Sequence, residues 1–118
     1  MITRWIDISF QKEGIHKYPA ALEDPKLVDV SFLGYPHRHM FHFKVKLEVY
    51  HNDRDVEFIL LKRELEALYN EKVLALDFQS CEMIAEGLIE YLKNNYPGRR
   101  ITIGVYEDGE NGAILEYA

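Results

Sequence analysis

Two histidines one residue apart, in His37-Arg38-His39, carry the densest chemistry in the chain. On a β-strand, positions i and i+2 project from the same face, at a rise of ~3.3 Å per residue. Both imidazoles can then reach one metal ion at a Zn–N distance near ~2.0–2.1 Å. They share their face with Phe41, Phe43 and Val45, where an unpaired polar group is costly. A third ligand is needed, and His16, in the segment after the first strand, is the candidate. Spacing alone leaves a second reading open, in which the pair are hydrogen-bonded core histidines.

The remaining reactive side chains have plainer explanations. His42 falls on the opposite, charged face of the same strand. His51 with Asp53 and Asp55 reads as a polar hairpin turn before it reads as a second metal site. Cys81 lies beside a helix N-terminus, which would lower its pKa. No histidine follows His51 to serve as its base, so Cys81 reads as a small packed residue. Glu107 ends an apolar strand just before a turn. It is either a solvated strand end or an inward carboxylate that holds a ligand's N–H groups.

These residues need elements to position them, and the periodicity supplies most. Arg4, Ile6, Ile8 and Phe10 alternate with Trp5, Asp7, Ser9 and Gln11, which predicts a half-buried strand. From Glu13 to Pro36, glycines and prolines break the pattern into a long loop with a short strand at Val28–Phe32. Tyr35 to Tyr50 is a long amphipathic strand, one face apolar and the other mostly charged. After the turn His51–Asp55, Val56–Leu60 is predicted to return as a hairpin partner. Leu61, Leu65, Leu68 and Tyr69 then recur at helical spacing. A second helix begins near Ser80, with Ile84, Leu88, Tyr91 and Leu92 as its buried stripe. Ile101, Ile103 and Val105 form a strand, Asp108-Gly109 to Gly112 a turn, and Ala113–Tyr117 a returning strand. The order predicts an α+β fold, an antiparallel sheet with two helices.

Composition narrows the function classes. The 118 residues fit a single domain spanning 1–118, with 47% hydrophobic and 29% charged residues as in ordinary globular domains. A net charge of −6 argues against a nucleic-acid face or a membrane-surface patch as the main business. One cysteine allows neither an intrachain disulfide nor a cysteine-based zinc cage. No apolar run approaches the ~20 residues of a membrane span, and no secretory signal is evident at the N-terminus, so the expected address is cytoplasmic.

Taken together the motifs resemble the 6-pyruvoyltetrahydropterin synthase and 6-carboxytetrahydropterin synthase family, with its tunnelling fold. The counterparts are Phe10 with His16, His37-Arg38-His39-Met40-Phe41, Glu57-Phe58 before Leu61-Lys62, Ser80-Cys81-Glu82, and Val105-Tyr106-Glu107-Asp108 with Tyr117. The resemblance implies zinc on His16, His37 and His39, and Glu107 as the substrate-binding anchor of a pterin ring. It implies a lyase acting on a substrate like 7,8-dihydroneopterin triphosphate, and homotrimers or homohexamers whose sheets join into a barrel with sites between subunits. Three departures stand against a simple carry-over. Leu33 occupies the position of the family's catalytic cysteine, Arg38 replaces the middle glycine, and Glu66–Gln79 lacks the histidine of the family's Asp–His pair. Glu13 and Tyr35 are the substitute proton carriers the sequence offers. The alternative is a non-catalytic protein that holds a pterin, purine or nucleotide in the same pocket.

Overall fold

The computed structural model describes residues 1–118. Its frame is one five-stranded sheet in the order β3-β1-β2-β4-β5. The strands are β1 (Arg4–His16), β2 (His37–Val49), β3 (Leu74–Asp77), β4 (Ile101–Glu107) and β5 (Asn111–Tyr117). Two α-helices, α1 (Phe58–Ala67) and α2 (Cys81–Asn95), pack on one face. The class is therefore α+β, but the sheet is mixed, because β3 pairs parallel to β1 while every other pair is antiparallel. Within the chain the sheet is open and does not close into a barrel.

Alternation decides which residues are buried. Ile8 and Phe10 of β1, Phe41 to Leu47 at odd positions of β2, and Ile101, Ile103 and Val105 of β4 form one apolar face. Phe10 stacks on Phe43 at 4.6 Å between ring centroids, and Tyr69 leans on both. Ile84, Leu88 and Leu92 of α2 and Leu61 and Leu65 of α1 cover this face. Ser80 caps α2 by accepting a hydrogen bond from the Met83 N–H at 3.1 Å, which satisfies one of the first-turn donors.

The sequence-based expectation needs correction at several points. Val56–Leu60 is no strand. Glu57 is the N-cap of α1, its carboxylate accepting from Ile59 N–H at 2.9 Å, and Phe58, Ile59 and Leu60 lie in the exposed first turn. A short apolar run cannot by itself separate strand from helix. The expected loop from Glu13 begins instead as the last four residues of β1, followed by 3-10 turns at Pro19–Leu22 and Pro25–Gly34, with no strand at Val28–Phe32. Leu68 is exposed rather than part of the helix stripe. β3 was unforeseen, and it is what makes the sheet mixed rather than antiparallel. No helix is long and apolar enough to cross a membrane.

Candidate metal centre

Strand register assembles the site. His16, the last residue of β1, pairs with His37, the first of β2, and Gly14 pairs with His39. Glu107, the last residue of β4, pairs with Phe41. All four side chains thus continue the apolar face at one end of the sheet. Their ligand atoms lie within 4.8 Å of one another, in a group that could hold a metal ion. His16 is buried and the other three are partly so. The structure brings His16, His37 and His39 together, and His16 ends a strand rather than sitting in a loop.

Each ring is fixed from behind. Nδ1 of His16 lies 2.8 Å from the Gln79 carbonyl, and Nδ1 of His37 lies 2.8 Å from the Tyr35 carbonyl. Nδ1 of His39 lies 2.7 Å from Oδ2 of Asp108. Every one of these partners only accepts, so each Nδ1 carries the proton and donates it. A neutral imidazole held this way presents a lone pair at Nε2, the orientation that outer-sphere partners impose on metal-binding histidines.

Those lone pairs meet a carboxylate. Nε2 of His16 is 2.8 Å and Nε2 of His39 is 3.6 Å from the same Oε2 of Glu107. Neither contact has hydrogen-bond geometry, and both nitrogens are buried without a hydrogen-bond partner. Acceptors converging in a buried spot repel one another unless a cation or an extra proton lies among them. An imidazole and carboxylate donor set suits zinc and its first-row neighbours. On the donor chemistry and the orphaned nitrogens, the residues fit a metal ion.

Asp108 holds His39 from behind, a role that the sequence did not assign to it. It follows Glu107 at a left-handed φ of 55°, with Gly109 at 71°, in the tight β4–β5 turn. Its Oδ1 accepts from Met40 N–H at 3.0 Å while its Oδ2 accepts from His39 Nδ1–H. These hydrogen bonds, Met40 first and His39 second, hold its carboxyl below the usual carboxylate value. Its only sequence signal is the Asp-Gly pair itself, which tolerates the positive φ the turn needs.

Beside the cluster opens a cleft of about 540 Å³. Leu33, Tyr18, Phe78 and Met83 give it apolar walls, and Cys81 and Ser80 contribute from the start of α2. The Cys81 thiol is not activated by the helix N-terminus. Burial first, then the charges of Glu107 and Glu82, push its pKa up to about 12, so it is a packed residue. Glu13 lies on the opposite face of the sheet, paired with Arg38 at 3.4 Å, and so cannot deliver a proton here. Tyr35 contributes its carbonyl to His37 while its side chain is exposed. His42 is on the helix-free face, as alternation required. His51, Asp53 and Asp55 form a turn in which Asp55 is claimed by Arg99 at 2.8 Å. Glu107 faces the histidines of its own chain.

No protein-family model matches this chain, and no curated protein matches it in sequence.

Proposed function

We propose that this chain is a zinc protein whose His16, His37 and His39 are the ligands, and that it acts as a divergent lyase on a pterin or purine-derived heterocycle. The buried Nε2 atoms of His16 and His39, left without partners beside a carboxylate, are the observation that carries the reading. When bound, zinc supplies Lewis-acid polarisation of a substrate oxygen. The chain's own groups do the rest. Gln79, Tyr35 and Asp108 hold the rings, and the apolar side chains along the cleft offer a planar heterocycle a surface to lie against. Glu107 Oε2 is near enough to the histidines to join the coordination sphere. Its second oxygen then remains to accept a ring N–H, so the anchoring role suggested by the motif is compatible with its position. The resemblance to the 6-pyruvoyl- and 6-carboxytetrahydropterin synthases supports the choice of zinc and of heterocycle.

A specific observation favours a second reading, a non-catalytic binding protein. Leu33, at the position of the family's proton-carrying cysteine, lines the cleft, and loss of a positioned acid or base slows a reaction by ~10²–10⁴-fold. Zinc-loaded protein incubated with 7,8-dihydroneopterin triphosphate and with purine nucleoside triphosphates separates the two by product analysis. Slow, zinc-dependent consumption of one heterocycle is expected. Saturable binding without turnover would select the binding protein, and neither binding nor turnover would overturn both.

A further inference from the structure

A second cavity, which shares no residue with the metal centre, brings together the sheet face carrying His42, Lys44 and Tyr106 and two side chains of α1. Register builds it from two neighbouring rows, Gln11–His42–Tyr106 and Ser9–Lys44–Gly104. Most cations on this face have an acidic neighbour: Arg38 pairs with Glu13 at 3.4 Å, and Lys46 stands opposite Asp7. Lys44 stands between Ser9 and Gly104, with no carboxylate directly opposite on either strand. It and Lys62 of α1 enter no salt bridge, and both line one cavity of about 650 Å³.

The floor of that cavity is an aromatic ring laid flat by glycines. A Cβ on Gly104 would fall 2.7 Å from Cε2 and 2.8 Å from the hydroxyl oxygen of Tyr106, and one on Gly112 would fall 2.8 Å from its Cδ1. Only residues without side chains let the ring lie down on the sheet, and Tyr106 lines the cavity from there. His42 packs against Gly109 at the rim, where a Cβ would come within 3.5 Å of the imidazole. Glu66, one turn from Lys62 on α1, adds a carboxylate acceptor to the lining.

A flat aromatic platform beside two ammonium groups that enter no salt bridge, with the Glu66 carboxylate one turn from one of them to accept N–H or O–H, is complementary to a planar ring bearing an acidic group. We infer that this face binds a small aromatic anion of the nucleoside monophosphate type, its base stacked on Tyr106 and its phosphate on Lys44 and Lys62. Stacking on an aromatic side chain tolerates any base, and an ammonium binds phosphate as a point charge. Selectivity among bases is therefore expected to be weak, and affinity is expected to fall as salt rises.

Calorimetric titration of the full chain with AMP and with GMP tests this, with adenosine and inorganic phosphate as half-ligands. Both nucleotides should bind with similar affinity and each half-ligand at least about tenfold more weakly, since each meets only part of the site. Lys44→Gln, an exposed change, should weaken AMP by about tenfold or more, the usual worth of a charged hydrogen bond. Tyr106→Leu should weaken it by roughly tenfold through lost stacking. Removing metal with a chelator should leave the affinity unchanged. AMP binding that requires zinc would place the ligand at the metal centre and overturn the outer site. Absence of binding, or binding indifferent to both substitutions, would overturn it as well.

Discussion

Asp108 determines what His39 offers to the centre of the site. By accepting a hydrogen bond from Nδ1–H at 2.7 Å it leaves the Nε2 lone pair directed at Glu107 and the other rings. Loss of such an outer-sphere partner typically weakens metal binding by ~10–100-fold. Asp108→Ala should therefore lower zinc affinity by about that factor in a chelator competition while leaving the histidines in place; an unchanged affinity would show that strand packing alone orients His39. A second carboxylate, Asp55, makes a pH-dependent contribution to stability. Its carboxyl is held below 3.8, chiefly by the hydrogen bond from Arg99 and next by that from Tyr50 N–H. A group depressed by folding adds stability that is fully present above its unfolded value and is lost as pH falls through the lowered one. Thermal melts of the native chain and Asp55→Asn should differ above about pH 4 and converge below it. A difference constant with pH would show that Asp55 contributes by shape alone.

At the scale of elements, the short parallel strand β3 does more for the site than its four residues suggest. It pairs with Gly14 and Ile15, and the chain leaving it delivers the Gln79 carbonyl that holds His16. Gly14 permits the close approach: a Cβ there would come within 2.8 Å of Leu76 Cδ1 and 3.1 Å of the Phe41 ring. Gly14→Ala should lower stability by about 1–3 kcal/mol, the range for overpacking, and a thermal melt checks it. No shift in Tm would mean that the Leu76 side chain swings aside freely. These contacts also mark where sequence reading reaches its end. The long strand β2 was legible because thirteen residues alternate without a break, and its parity alone put His37 and His39 with Phe41 and His42 opposite them. The same parity made Glu107 an inward candidate on β4. Leu74–Asp77 is too short for alternation to stand above chance, so β3 and the anchor it brings to His16 were invisible. The start of α1 was misread because Glu57's cap, a local hydrogen bond, outweighs the strand propensity of the residues around it.

For the whole molecule, the open sheet leaves long unpaired edges. β3 covers β1 only from Gly14 to His16, so Arg4 to Glu13 offers an outer edge, and β5 offers the other. Exposed edges of this length are usually paired, charged or covered, and closing sheets edge to edge removes them. The proposed homotrimer or homohexamer would do so, and light scattering should return three or six chains per particle; a stable monomer at micromolar concentration would contradict it. The four residues of the group that could hold a metal ion come from one chain. Equilibrium zinc titration of chelator-stripped protein tests the proposed zinc centre most directly. That centre predicts one saturable zinc per chain, with His16→Ala and His39→Ala each weakening binding by at least about tenfold, because three protein ligands are the usual set of a zinc site that keeps one position open. Absence of a saturable site, or one that survives both substitutions together, would contradict it.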